Sequence, residues 1–216
     1  SQADLMAHGL KVPDMSNNLT LTLAQYASST SCDHIPADVR DRAKQVIFDE
    51  MASAYFCRRS LAGDLGARYG AQAGGNPEAR IYATGQRVSA ANAALANGAA
   101  GHGEEVDGAH VVGGHPGASI VHAAVAVAER QHASGADLVN AVVLGYDIGV
   151  RIIEACGGFY AFRNRFGLHS DFLHAFGSSG LDQLVHRGNE TLSTFEGEPL
   201  LADIFGVQKR SKPSAL

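Results

Sequence analysis

Four of the ten histidines, His102, His110, His115 and His122, fall within 21 residues of one another, and Glu104, Glu105 and Asp107 are interleaved with the first two. Imidazole changes charge near neutral pH, and a carboxylate beside it can orient or share its proton. The same residue types also chelate metals. Two chemistries therefore compete: proton transfer, and zinc or iron held by His102, His110 and His115 with Glu105 or Asp107. No HExxH pair and no Cys/His ligand spacing accompanies these residues, which favours proton transfer with no metal.

His115 is the sharpest of the four. It precedes Pro116, a residue suited to the first position of a helix, so its imidazole is expected at a helix cap. The backbone N–H groups of that first turn, around Gly117 to Ser119, would face the same space, and a helix N-terminus favours a bound carboxylate. His122 lies one heptad later and reads as a pocket-wall or core histidine. Arg163 and Arg165 read as surface residues before they read as an anion site. There is no P-loop, G-x-S-x-G or CxxC, and Gly98-Ala-Ala-Gly101 lacks the preceding strand of a dinucleotide fingerprint.

These residues need rigid elements on either side. Ser89 is expected to cap an Ala-rich helix over 90–100, and Pro116 to open another over 117–132, leaving 101–116 as a loop with five glycines. Further helices are predicted through Leu19–Tyr26 (capped by Asn17 or Asn18), Ala37–Cys57, Leu61–Ala73 and Asp137–Cys156, with a short one near Leu181–His186. In the segment 37–57, Val39, Ala43, Val46, Ile47, Met51, Ala54 and Tyr55 recur at helical spacing and are expected to form its apolar stripe. Arg80–Val88, with its Thr84-Gly85 turn, reads as an extended excursion or hairpin. The fold class is all-α, about seven packed helices by this pattern reading.

The chain of 216 residues is 45% hydrophobic and 18% charged, with a formal net charge of −5. That is the composition of a soluble globular protein. Dispersed Lys and Arg argue against nucleic acid or an anionic membrane surface as a partner. No apolar run reaches the roughly 18–20 residues needed to cross a bilayer. Ser1–Asn17 has no apolar signal region, and three widely spaced cysteines read as free thiols, so a cytoplasmic location is expected.

Residues 92–117, NAALANGAAGHGEEVDGAHVVGGHPG, resemble the signature of the 2-methylcitrate dehydratase (MmgE/PrpD) family, A-N-G-x-x-x-H-x-x-D-F-D-D-T-H followed by H-P-[SG]. Asn97, Gly98, His102, Asp107, His110, His115, Pro116 and Gly117 match it. The resemblance extends over about 19–177, through QVIFDEMASAYF and the helix pair that follows the motif. It implies a helical domain and a cofactor-independent lyase or isomerase acting on a small di- or tricarboxylate: dehydration of 2-methylcitrate, decarboxylation of cis-aconitate or epimerisation of iminodisuccinate. It also implies a homodimer.

His115, His102 and Asp107 are then the candidate catalytic residues. Glu105, His110, Gly117 and His169 are the candidate substrate contacts, with His169 (or His174) standing for a second family histidine. Glu105, Gly108 and Ala109 depart from the family's Asp, Asp and Thr. The organisation expected is a lead-in over 1–17, a partial helical domain over 18–177 and an atypical tail over 178–216. That tail does not continue the resemblance. A second expectation is therefore an inactive fragment of the family, serving as a binding or subunit module or arising from a misjoined gene.

Overall fold

Side-chain oxygens decide where several helices begin. In the computed structural model, which describes residues 19–112 and 114–158 with positions 160, 161 and 164, six α-helices are seen. They are α1 (Leu19–Ser29), α2 (Ala37–Phe56), α3 (Leu61–Ala73), α4 (Ala90–Gly101), α5 (Pro116–Gln131) and α6 (Gly135–Ala155). Ser60 accepts from the Gly63 N–H at 3.1 Å, Ser89 from Asn92 at 3.4 Å and Ser134 from Asp137 at 3.2 Å. Each satisfies one of the amide donors left open by the first turn. At its other end α5 stops on His132, which takes a left-handed conformation at φ 53°.

The expected excursion is a two-residue antiparallel hairpin. Strand β1 (Ala79–Arg80) pairs with β2 (Arg87–Val88), Ala79 opposite Val88 and Arg80 opposite Arg87. The turn closes through Gly85 at φ 74°. Asn97 of α4 holds the hairpin down: its Oδ1 accepts from Tyr82 N–H at 2.9 Å and its Nδ2 donates to Arg80 O at 2.8 Å. This asparagine of the motif is 3% exposed, so it acts here as structure.

The chain divides into two compact units, residues 1–28 with 189–216, and residues 29–188. Of the first, only the part of α1 up to Ser28 lies among the described residues. In the second, the core is built mainly from small side chains. Ala67, Ala79, Ile81, Val88, Ala90, Ala93, Ala96 and Ala126 form one cluster. Val121, Ala124, Ala141 and Val142 form another, flanked by Val46, Ile47 and Tyr146. With so little side-chain bulk, α3 and α4 approach closely: a Cβ on Gly66 would lie 2.9 Å from Ala99 Cβ, and one on Gly70 3.0 Å from Asn92 O. Helix α6 is enclosed along its middle, where none of residues 138–150 is exposed.

The apolar stripe expected on α2 holds at Ala43, Val46, Ile47 and Ala54 and fails at Val39, Met51 and Tyr55. Ala43, Glu50, Ser53 and Ala54 are its buried residues, whereas Met51 and Tyr55 are 38% and 58% exposed. An acid and a serine occupy the inner arc that apolar periodicity assigned to larger residues. The helix expected near Leu181–His186, the lead-in, the tail, Arg163, Arg165 and His169 all lie outside the described residues. Among those described, no helix is long and apolar enough to cross a membrane.

Two glycines give opposite outcomes. Gly66→Val should destabilise the fold by about 1–3 kcal/mol, because the branched side chain must displace α4. A Cβ at Gly135 meets nothing within 4 Å. Gly135→Ala should therefore be neutral or stabilise by up to ~1 kcal/mol through unfolded-state entropy. Denaturant melts of both variants check the pair.

Candidate active site

The Ala-rich helix α4 ends at Gly101 and α5 begins at Pro116, so both ends of the loop between them are fixed. His102 follows the first helix and His115 is the N-cap residue of the second, without a capping hydrogen bond from its side chain. Their ring centroids lie 4.9 Å apart, tilted by 60°. Asp107 sits between them with a fully enclosed side chain. Its Oδ1 and Oδ2 lie 3.1 and 3.2 Å from His102 Nδ1, in hydrogen-bonding geometry. His115 Nδ1 approaches Oδ2 to 3.2 Å, but the angle does not make a hydrogen bond, and this buried nitrogen has no hydrogen-bond partner. The contact is one of proximity and charge.

The three residues ranked first by sequence are thus brought together, their ligand-type atoms all within 4.8 Å of one another. The others are not. Glu105 is exposed and holds a left-handed backbone at φ 52°. His110 closes a tight turn: it exchanges backbone hydrogen bonds with Gly114 at 2.7 and 3.1 Å, and its Nδ1 accepts from Val112 N–H at 3.3 Å. Glu105 and His110, which the sequence offered as metal ligands, fall outside this cluster, and His102, Asp107 and His115 are the described residues that could hold a metal ion. Two imidazoles turned by Nδ1 toward one enclosed carboxylate suit an acid–base group, in which the carboxylate sets the tautomer of the hydrogen-bonded His102 and lies beside His115, leaving Nε2 to carry an exchanged proton.

Gly117 has a role that the sequence did not reveal. A Cβ there would overlap the carboxyl group of Glu50, which comes from the inner face of α2. Glu50 is 0% exposed. Its Oε1 accepts from the Gly108 N–H at 3.1 Å, and its Oε2 is buried with no hydrogen-bond partner. Burial raises its pKa from an ordinary 4.5 to about 8. Asp107 and Asp49 add to the rise and the Gly108 amide opposes it. The signal that could have found it is an acid seven residues after Ala43, inside a buried arc. Beside it lies a cavity of about 800 Å³ lined by Arg42, Lys44, Ala109, His110 and Tyr146.

His122 is fully buried against Gly101 and meets Tyr82 edge-on at 5.8 Å. Neither ring nitrogen has a hydrogen-bond partner. Burial lowers its pKa from 6.5 to about 4, with Asp107 pulling the other way. The core-histidine reading of the sequence therefore holds for this residue.

A sequence profile of the MmgE/PrpD N-terminal domain matches residues 21–179. The cis-aconitate decarboxylase of Aspergillus terreus strain NIH 2624 is 30% identical over 148 residues, covering 66% of this chain and 30% of that protein. A second Aspergillus terreus sequence of the same description matches to the same extent. The matched segment spans 30% of the length of these relatives. No solved structure matches the chain with statistical support.

The two shifted groups act on stability with opposite signs. From pH 4.5 to about 8 the folded chain keeps a proton on Glu50 that the unfolded chain has lost, so stability falls as pH rises. From pH 6.5 down to about 4 the unfolded chain gains a proton that folded His122 refuses, so stability falls as pH falls. Their contributions cancel where the windows overlap. On the alkaline side Glu50 contributes a decline of at most ~1.4 kcal/mol per pH unit. Glu50→Gln should remove it, so denaturant melts of the two proteins should diverge as pH rises from 6.5 to 8; parallel curves would refute this.

Proposed function

The chain belongs to the MmgE/PrpD family, and from that premise we propose a cofactor-independent lyase or isomerase that moves a proton next to a carboxylate of a small di- or tricarboxylate. The observation that carries this reading is the convergence of His102 and His115 on Asp107 at the first turn of α5. In it, His115 takes a proton from the carbon beside a substrate carboxylate through Nε2. The electron pair left behind spreads into that carboxylate. The amide N–H groups at the start of α5, around Gly117, favour the added charge. Asp107 and His102 hold the proton inventory of the pair, and whether a leaving group then departs or the proton returns to the other face separates elimination from epimerisation.

The neighbouring positions bear on substrate choice. Exposed Glu105 stands at the rim of the loop with a reach one methylene longer than the family's aspartate, and His110 and Ala109 line the adjoining cavity. Ala109 cannot donate the hydrogen bond of the family's threonine, so the relatives' substrates are not carried over by name. His169 lies outside the described residues and keeps only its sequence argument. We take residues 18–177 as the family's helical domain. Exposed Phe48, Phe56 and Leu61 support self-association as a homodimer, and the free cysteines support a cytoplasmic setting.

Deuterium exchange at the carbon next to a carboxylate, followed by NMR across citrate, cis-aconitate and iminosuccinate, tests the proposal. At least one of the panel should exchange, and His115→Ala should slow it by about 10²–10⁴-fold, the usual worth of a general acid–base group. Asp107→Asn should slow it less, since it leaves the base in place. Thermal shift against the same panel separates the second reading, an inactive binding module: stabilisation without exchange on any member would favour it.

A further inference from the structure

Three features of the structure converge on Glu50. The Gly108 N–H, one residue past Asp107, donates to its Oε1 at 3.1 Å. Gly117 leaves the volume that its carboxyl occupies. Its Oε2 is enclosed with no hydrogen-bond partner. As a carboxylate it would be a buried anion with half its acceptor capacity unmet, near the second enclosed carboxyl of Asp107. As a carboxylic acid it escapes most of that penalty.

Among the described residues no cation pairs with Glu50. On its own helix Glu50 has Asp49 beside it, while Arg42 and Lys44 line the same cavity. Arg42 donates to Gln45 at 3.1 Å and Lys44 pairs with Asp41 at 2.8 Å. From the loop come Asp107 and His110. From α6 comes Tyr146, whose phenol is held protonated first by burial and then by the charges of Glu50, Asp107 and Asp49. From α5 comes His122, neutral by burial.

We propose that Glu50 is a positioning residue of this centre, held as the neutral acid so that Asp107 is the single enclosed anion facing His102 and His115. The inference rests on reading those three residues as the proton-handling group. When Glu50 releases its proton to solvent, the cluster holds two enclosed anions, and both imidazoles bind their protons more tightly. Glu50 thereby sets the proton affinity of the pair without touching substrate. Gly117 has a physical reason to be glycine, since it makes room for the acid, whereas a Cβ at Gly108 would meet it only in ordinary contact.

The test is an NMR titration of the whole chain from pH 5 to 10, following the Glu50 δ-carbon and the ring signals of His102 and His115. In the wild type the δ-carbon should titrate well above the ordinary glutamates, near pH 8, with a second inflection in both histidine signals at the same pH. Glu50→Gln keeps an oxygen to accept from Gly108 but cannot ionise, so the second inflection should vanish. An inflection that persists in Glu50→Gln would overturn the inference. So would a Glu50 δ-carbon that titrates with the surface glutamates, and that measurement decides the matter even if the variant fails to fold. No substrate is involved, so failure here leaves the proposed reaction standing, and failure of the substrate panel leaves this result intact.

Discussion

Backbone approach through missing side chains is the constraint on which the rest depends. Gly63 rests on the carbonyl of Cys57, Gly66 and Gly70 on α4, Gly98 on the carbonyl of Ala118, Gly101 on the His122 ring and Gly117 on the Glu50 carboxyl. A Cβ would overlap or crowd backbone at Gly63, Gly70 and Gly98, a methyl group at Gly66, and a buried side chain at Gly101 and Gly117. The contacts run in a chain from α3 through α4 and α5 to α2. They fix the end of α4 and the start of α5 relative to each other, and the intervening loop must fold back over that fixed gap. His102 and His115, at opposite ends of the loop, meet for this reason. Flexibility in the loop's own glycines is then harmless, because its anchors do not move.

The elements that could be read in advance are those governed by local rules. Helix α3 begins and ends where Ser60 and Gly74 place it, α4 follows Ser89, and α5 begins at Pro116. The hairpin near Thr84-Gly85 is equally local. The convergence of His102, Asp107 and His115 was foreshadowed by their density in the chain and by the requirement that two rigid ends enclose them. What escaped was long-range. The stripe on α2 is set by which small residues of other helices lie against it, so Met51 and Tyr55 turn outward while Glu50 turns in. Apolar periodicity marks the position one heptad after Ala43 as facing inward, but it does not by itself make an acid there a buried one. By sequence Gly117 reads as an anion-binding amide donor, whereas its close contact with an acid from a distant helix follows from how α2 packs on α5. Glu105 and His110 share the loop with the trio but are turned away from it by a left-handed residue and a tight turn, features of backbone rather than of spacing.

The electrostatic arrangement follows from enclosing ionisable groups where water cannot reach them. Asp107 has no exposed side-chain surface, and His122 and Glu50 are equally enclosed. A buried charge without a partner is too costly to keep, so each enclosed group must be paired or neutral. Asp107 has the two imidazoles. Glu50 and His122 have no such partner, and burial pushes the acid up and the base down, each toward its uncharged form. Of the three enclosed groups, Asp107 is the one that faces two imidazoles, and a poorly hydrated setting strengthens each interaction that its carboxylate makes. Acids and bases whose proton affinities are driven apart by burial are a recurring way of dividing proton work among like side chains. Here burial drives Glu50 and His122 toward their uncharged forms beside the His102–Asp107–His115 cluster, at the start of a helix whose amides favour an anion.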